Sequence, residues 1–406
     1  MASQSIRGAG CRNLTRKLDH FSEDDAERYF CLIRFGSEDQ QFCPKCGTFA
    51  KHYRRQARRQ WCCRQAECAH VFSAKSGTKF DNSKLSYLKL LKFLVAFVNS
   101  PKGITLHDLA SDVGVTEKTA HLNQMKVREA ITKMADRSPL DGLVHIDGAH
   151  FCGKFRKSNH RRKATADDVL RRHGTGAIKK RLLDKPSSES RANRRRAKNR
   201  RVVIAMTQVF PASNPLLKYK TDDPRKGISR VIVATCYTEN SEDVQKLVAK
   251  YLLPGTMVFT DENPAYIGLT GEYEHHTVNH SVEYSTAEGV SDNMAEAFFS
   301  RMRRAQYGVH HGMRPQYLEM YAWEKAWREM RRIHDQESNC KQLLEWLLSP
   351  GYSDWRGYHG GNKRRHTRKP RPEIVMGDQQ RALAVAKREV RKFGRLEAVR
   401  SVPQLP

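Results

Sequence analysis

The sequence lacks any uninterrupted run of about 18 apolar residues, the length that a membrane-spanning helix requires. Its first residues, MASQSIRGAGC, also lack the apolar segment of a secretory signal peptide. These absences argue against a membrane or secreted protein, so we expect a cytoplasmic one. Disulfide bonds are rare in the cytoplasm, and the ten cysteines therefore need another explanation.

Acidic residues are scarce relative to basic ones. The chain has 44 Asp and Glu against 73 Lys and Arg, which gives a formal net charge of +29. Such an excess indicates a polyanionic partner, and a pI near 9.9 is typical of nucleic-acid-binding proteins. Since no membrane segment accompanies the charge, we expect nucleic acid rather than a membrane surface.

Cysteines are few in most of the chain but crowded near its start, where seven of the ten fall within the first 68 residues. Two pairs have the spacing of zinc knuckles, and four thiolates suit one structural Zn²⁺. The expected ligands are Cys43, Cys46, Cys63 and Cys68. Cys62 could replace Cys63, and His70 could replace Cys68. We therefore expect a zinc ribbon over residues 41–79, after an N-terminal helical segment at 1–40.

The stretch after the ribbon has the pattern of three helices. SKLSYLKLLKFLVAFVN carries apolar residues at helical spacing, and ITLHDLASDVGVTEKTAHLNQMKVREAI has two further helical segments around Gly114. A small residue four positions before that glycine is typical of a helix-turn-helix, although an ordinary helical hairpin has a similar pattern. We place this DNA-binding domain at residues 80–136. The second helix would present four side chains to a major groove: Lys118, Thr119, His121 and Gln124.

Short apolar strands and helices alternate in the rest of the chain. The five expected strands are Leu143–Ile146, Arg201–Phe210, Ser229–Thr238, the strand within TMVFTDEN and His275–Ser281. One amphipathic helix, SEDVQKLVAKYL, separates the third strand from the fourth, and another, DNMAEAFFSRMRRA, follows the fifth. This order is that of a ribonuclease-H-like core, which we place at residues 140–348. The chain is then a multidomain protein of the α+β and α/β classes.

Three acids are expected to meet in such a core, because its first and fourth strands are neighbours. Asp147 ends the first expected strand, Asp261 ends the fourth, and Glu296 lies on the final helix. Carboxylate oxygens suit Mg²⁺ or Mn²⁺, and two ions about 3.5–4 Å apart would stabilise the attacking and leaving oxygens of a phosphoryl transfer. Each acid by itself could be a cap or a surface charge. The acids most easily confused with the ligands are Glu262, Glu288 and Asp292.

Basic residues are concentrated in an insert and a tail. The insert at residues 154–201 is rich in Lys and Arg and includes Arg194, Arg195 and Arg196. A segment of this composition does not bury a core and is either a phosphate-binding arm or a solvated linker. A basic C-terminal extension covers residues 349–406. Arg303 and Arg304, on the helix of Glu296, are further candidates for DNA contacts.

Several long motifs resemble those of bacterial insertion-sequence transposases of the DDE type with an N-terminal zinc ribbon. They are HIDGAHFCGK, VFTDENPAY, VNHSVEYS, SDNMAEAFFSRMRRAQYGVHH and YAWEKAWREMRR, preceded by KGITLHDLASDVGVTEKTA and the cysteine-rich passage. The resemblance extends from about Phe42 to Arg332. It departs from the family in the arginine-rich insert and in the tail after about Gly351.

The resemblance implies that Asp147, Asp261 and Glu296 are the catalytic triad and that Arg303 matches the family's basic residue after the glutamate. It implies a transposase that binds the inverted-repeat ends of its element, cleaves them and joins the 3′-OH to target DNA. Such an enzyme would act as a dimer or higher oligomer on DNA, associated with a bacterial nucleoid. The alternatives are a ribonuclease-H-like nuclease without strand transfer and a DNA-binding regulator without catalysis.

Overall fold

The computed structural model describes residue 16 and residues 18–152, 200–214, 225–269, 271–278, 293–356 and 358 of the 406-residue chain. The insert between residues 153 and 199, including Arg194, Arg195 and Arg196, lies outside the described residues, as do Glu288, Asp292 and the tail from 359. No helix in the described part has the length and apolar content needed to cross a membrane.

Eight α-helices are numbered here in chain order. They are α1 (Glu23–Phe35), α2 (Tyr87–Asn99), α3 (Leu106–Val113), α4 (Glu117–Met134), α5 (Ser241–Tyr251), α6 (Asn293–Gly308), α7 (Leu318–Met330) and α8 (Gln336–Leu348). Side-chain caps start several of them, as Thr116 does at α4 by accepting a hydrogen bond from the Thr119 amide. Gly114 ends α3 with a φ of 65°, the left-handed conformation that the turn into α4 requires.

In the part of the chain that the structure describes, ten strands form three sheets. They are β1 (Gln41–Phe42), β2 (Phe49–Ala50), β3 (Tyr53–Arg55), β4 (Gln60–Cys62), β5 (Val71–Phe72), β6 (Leu143–Phe151), β7 (Arg201–Val209), β8 (Ile228–Cys236), β9 (Met257–Asp261) and β10 (Glu274–Val278). The first five make two small antiparallel sheets, β1–β2 and β3–β4–β5. The other five make one sheet in the order β10–β9–β6–β7–β8.

The large sheet is mixed. β7 pairs antiparallel with both β6 and β8, whereas β9 runs parallel to β6 and to β10. The expected adjacency of the first and fourth strands of this region is therefore present, since β6 and β9 are neighbours. The expectation that β6 ends at Asp147 is wrong: the strand continues to Phe151, and the register with β7 is unbroken from Val144 to Phe151.

The helices near the N-terminus share a core with the last two helices. α7 packs against β8 of the large sheet and also against α4, and α8 packs against α1, α2 and α4. Buried residues of both halves, from Phe30 and Leu94 to Trp323 and Leu344, belong to one continuous apolar cluster. The domain limits expected from the sequence remain predictions, but the apolar core continues across the expected boundary near residue 136.

Candidate active site and cysteine cluster

Strand register places two of the expected acids side by side. β6 and β9 pair in parallel from Leu143 with Met257 to His145 with Phe259. The pairing ends there, and Asp147 and Asp261 each follow two residues later, at the same offset. Because paired residues on parallel neighbours project to the same face of a sheet, the two carboxylates lie on one face.

That face is the one covered by α6. The ring of Phe151 lies 6.1 Å from the ring of Phe299 on α6, so Phe151 faces this helix. Asp147 precedes Phe151 by four residues in an unbroken strand and therefore faces the same side. Glu296 is exposed in the first turn of α6, three residues before Phe299. Glu296 is therefore on the helix that covers the face of the sheet on which Asp147 lies.

Backbone amides orient the two aspartates. The Gly148 amide donates a 2.6 Å hydrogen bond to Asp147 Oδ1, and the Asn263 amide donates a 3.1 Å hydrogen bond to Asp261 Oδ1. Both aspartates are partly exposed, as a group that binds an ion or substrate must be. Glu262, the acid next to Asp261, is exposed as well.

The acids fit a divalent cation by donor type, since hard carboxylate oxygens are the ligands that Mg²⁺ prefers. Their ligand atoms do not form one compact group. In the described part of the chain, the cysteine cluster is the group of at least three metal-ligating side chains whose ligand atoms all lie within 4.8 Å of one another. A cation held by the three acids would therefore bind together with an adjustment of their side chains.

Glu239 and Tyr266 form a hydrogen-bonded pair next to Gly148, the residue after Asp147, and were not expected from the sequence. The Tyr266 hydroxyl donates a 2.6 Å hydrogen bond to Glu239 Oε1. Burial raises the pKa of Glu239 and the charge of Asp261 adds to the rise, while the Tyr266 hydrogen bond opposes it. Burial and the charge of Glu239 raise the pKa of Tyr266, with further contributions from Asp147 and Asp261. These couplings show that the four groups share one electrostatic environment.

Near the N-terminus, the structure gathers the four cysteines that the sequence predicted as zinc ligands. Their sulfur atoms all lie within 4.8 Å of one another, with Cys43 Sγ 3.8 Å from Cys68 Sγ and Cys46 Sγ 3.5 Å from Cys63 Sγ. A tetrahedron with Zn–S bonds of about 2.3 Å has sulfur atoms about 3.8 Å apart, so the cluster could hold zinc. Cys62 is not in this group; its thiol donates to the Ala69 carbonyl at 3.6 Å.

The residues expected to contact a major groove are divided between surface and core. Lys118 is exposed and Thr119 is partly exposed on the first turn of α4. His121 is partly covered, with its ring 5.9 Å from the rings of both Trp355 and Tyr358. Gln124 differs from the expectation: it is 2% exposed and its amide donates to the Ile104 carbonyl, so it packs α4 and does not face solvent.

Arg303 and Arg304 are exposed on α6, on the turns that follow Glu296. Arg303 lies seven residues, or about two helical turns, after Glu296 and is therefore on the same face. A DNA strand that reached Glu296 would pass close to Arg303. The role expected for these arginines stays a prediction.

Comparison with known protein families shows that residues 139–330 match a transposase domain family. The family is described as the ISXO2-like transposase domain, and the resemblance to insertion-sequence DDE-type transposases is confirmed. The match runs from just before β6 to the end of α7 and includes Asp147, Asp261 and Glu296. No match was found among curated proteins or among solved structures.

Proposed function

We propose that this protein is the transposase of an insertion sequence, which binds the inverted-repeat ends of its element, cleaves them and joins the freed 3′-OH to target DNA. The observation that carries the proposal is the register of β6 and β9. Asp147 and Asp261 each follow the end of this pairing by two residues, and Glu296 is on α6, which covers the same face; all three lie inside the segment that matches a transposase family.

The proposed chemistry uses these three carboxylates as the holders of divalent cations, two Mg²⁺ or Mn²⁺ ions in the full site. When bound, such cations supply an activated water and stabilise the charges that develop on the phosphate. The amides of Gly148 and Asn263 keep Asp147 and Asp261 oriented through charge-assisted hydrogen bonds. Arg303 and Arg304 offer exposed positive charge along α6, where they would hold the phosphates that flank the cleaved bond.

In this proposal DNA binding belongs to the N-terminal half and to the basic insert. α3, the turn at Gly114 and α4 form a helix-turn-helix in which Lys118 and Thr119 are available to a groove. The cysteine cluster would hold a structural zinc in a ribbon that supports this part of the protein. The insert at 154–201 would act as a phosphate-binding arm, since its basic residues follow β6, the strand of Asp147, directly in the sequence.

The test is substitution of each acid without a change of size. We expect Asp147→Asn, Asp261→Asn and Glu296→Gln each to lower cleavage of a labelled inverted-repeat end by at least about 100-fold, because each removes an anionic ligand of the proposed metal site. Binding to the same end, measured by gel shift, should change less than about twofold, since an interaction away from the DNA-binding half is lost. Glu262→Gln is the matched control and should cleave normally.

A triad variant that still cleaves would remove that residue from the proposed active site. Strand transfer is measured separately with a pre-cut end that carries a 3′-OH. Cleavage without strand transfer would favour the nuclease alternative. If the wild-type protein bound the ends but neither cleaved nor joined them, and Asp147→Asn left its biological activity intact, the regulator alternative would be favoured.

A further inference from the structure

Gly148 and Glu239 lie so close together that a side chain at position 148 would require the Glu239 carboxylate to move. A Cβ atom placed on Gly148 would overlap the carboxylate of Glu239. Gly148 directly follows Asp147 in β6, and its own Cβ direction is the opposite of that of Asp147. Glu239 therefore lies under the strand at Asp147, on the face opposite α6.

Tyr266 ties this carboxylate to the loop that follows the second aspartate. Tyr266 belongs to the 3₁₀ helix Pro264–Leu269, which begins three residues after Asp261. Its side chain is fully buried, and its hydroxyl donates a 2.6 Å hydrogen bond to Glu239 Oε1. A fixed donor at this distance limits the rotation of the glutamate side chain.

The two contacts of Glu239 come from two separate elements. Glu239 itself lies between β8 and α5, Gly148 is in β6, and Tyr266 follows β9. β6 and β9 are the strands of Asp147 and Asp261, so the glutamate contacts a neighbour of each aspartate. A glutamate on the open surface would have neither the contact with Gly148 nor the hydrogen bond from Tyr266.

We propose that Glu239 is a positioning residue of the candidate active site, held against Gly148 by Tyr266 so that its negative charge supports Asp147 and Asp261 in binding a divalent cation. The proposal rests on the proposed function, because it concerns the same site. Glu239 acts on cation binding indirectly, through the two aspartates and through the electric field of its own charge. Outer groups that orient metal ligands typically change metal affinity by about 10- to 100-fold when they are removed.

The test is Mn²⁺ binding by the full chain, measured by titration calorimetry with the cysteine cluster saturated with Zn²⁺. We expect Glu239→Gln to raise the dissociation constant for Mn²⁺ by about 10-fold. Tyr266→Phe, which keeps the carboxylate but removes its donor, should raise it by less, and the double variant should match Glu239→Gln because both changes act through one group. Glu242→Gln is the matched control: this exposed glutamate, three residues later, pairs with Lys246.

Thermal unfolding of each variant shows whether the fold is intact. The proposal is supported if Glu239→Gln weakens Mn²⁺ binding and Glu242→Gln does not, whether or not the protein cleaves DNA. It is overturned if Asp261→Asn weakens Mn²⁺ binding while Glu239→Gln binds like the wild type. It is also overturned if none of these variants changes Mn²⁺ binding. The proposed function is judged separately, by the cleavage assay, so each can fail without the other.

Discussion

At the scale of single residues, the adjacent cysteines 62 and 63 have different surroundings. The Cys63 sulfur lies among the other three sulfurs of the cluster, whereas the Cys62 thiol donates to a backbone carbonyl outside it. We expect Cys63→Ser to lose bound zinc and Cys62→Ser to keep one equivalent. Metal binding and folding are coupled in small metal sites, so the loss should also lower the unfolding temperature.

Elemental analysis of the purified full-length variants gives the zinc content, and a chelator added to the wild type should reproduce the Cys63→Ser behaviour. If Cys62→Ser were the variant that lost zinc, the ligand assignment would be reversed. A wild-type protein that is folded and contains no zinc would remove the metal from the cluster altogether.

His310 is a second residue whose surroundings give a specific expectation. Its Nε2 is buried without a hydrogen-bond partner among the described residues, and burial together with the charge of Arg128 lowers its pKa to about 3. The unfolded chain binds a proton at this histidine near pH 6.5, so protonation favours unfolding as the pH falls from 6.5 towards 3. We expect the free energy of unfolding to fall by about 2 kcal/mol between pH 6.5 and 4.5 from this residue.

Replacement by a residue that does not titrate tests this expectation. In His310→Phe, the part of the acid destabilisation above pH 4.5 should disappear from urea unfolding curves recorded across the pH range. His311→Asn is the matched control, because His311 is exposed with a left-handed φ of 50°, which asparagine tolerates. An unchanged pH dependence in His310→Phe would show that other groups cause the loss of stability in acid.

The candidate site residues could be predicted from the sequence because each is marked by the residues next to it in the chain. The spacing of the four cysteines and the position of Asp261 at the end of a short apolar strand are both visible in the sequence alone. Glu239 could not be found in this way, since it follows β8 without a motif and gains its surroundings from Gly148 and Tyr266. The one signal in the sequence is the glycine after Asp147, and a lone glycine in a strand has many explanations.

At the scale of secondary structure elements, β6 shows why element boundaries were harder to predict than element types. From the sequence, the strand is predicted to run from Leu143 to Ile146 and to end on Asp147, where the apolar run stops. In the structure it continues through Gly148 to Phe151, because Ala149 and Phe151 keep the alternation and are buried, while β7 pairs along the whole length. Pairing with a distant strand outweighs the weak strand propensity of an aspartate and a glycine.

Helix α4 has one buried face and one exposed face, and we expect substitutions on the two faces to have different effects. Gln124 is buried and donates to the Ile104 carbonyl, whereas Lys118 is exposed on the first turn. We expect Gln124→Ala to cost about 1–3 kcal/mol of folding free energy, since it leaves a carbonyl without its donor. Lys118→Ala should leave the stability within about 0.5 kcal/mol of the wild type and weaken DNA binding.

Urea unfolding and gel-shift titrations of the two variants separate these effects. Gln124→Ala should bind inverted-repeat ends normally at temperatures where it is folded. If it instead lost its preference for those ends while its stability stayed unchanged, Gln124 would face DNA in the complex. If Lys118→Ala bound DNA as tightly as the wild type, α4 would not be the helix that contacts the groove.

At the scale of the whole molecule, buried charges connect the N-terminal helices to α7. Arg128 on α4 is 1% exposed and donates from Nε to Oε2 of Glu324 on α7 at 2.6 Å. Arg328 donates to the other carboxylate oxygen at 2.8 Å and also to the Phe97 carbonyl in the last turn of α2 and the Ser100 carbonyl that follows this helix. The nearby positive charges, first among them Arg128, hold the pKa of the fully buried Glu324 well below its usual range.

This connection could not be predicted from the sequence, because its partners are 196 positions apart. Composition and motif spacing describe the N-terminal helices and the transposase segment as separate stretches. Only the folded chain shows that α4 packs against α7 and α8 and shares one apolar core with them. His121 is covered by Trp355 and Tyr358, which follow α8, whereas Gln124 is covered within the N-terminal helices, where it bonds to the Ile104 carbonyl.

The last prediction concerns the independence of the N-terminal half. A fragment of residues 1–136 would lack α7 and α8, so the buried faces of α2 and α4 would be exposed. The fragment would lose the apolar burial that these two helices provide, at about 25 cal/mol for each Å² of apolar surface left in water. We expect this fragment, with zinc added, to show no cooperative thermal unfolding and no specific binding to the inverted-repeat ends. In the full chain, Glu324→Gln should lower the free energy of unfolding by about 3–5 kcal/mol. The control is Glu319→Gln, because Glu319 is a more exposed acid of the same helix and lies 3.9 Å from Arg137. This variant should lower the free energy of unfolding by less than about 1 kcal/mol.

The fragment experiment can also contradict this expectation. If the fragment instead unfolded cooperatively and bound the ends as the full chain does, the N-terminal half would be an independent DNA-binding domain with the limits that the sequence predicts. Its packing against α7 and α8 would then be an interface between domains rather than a shared core.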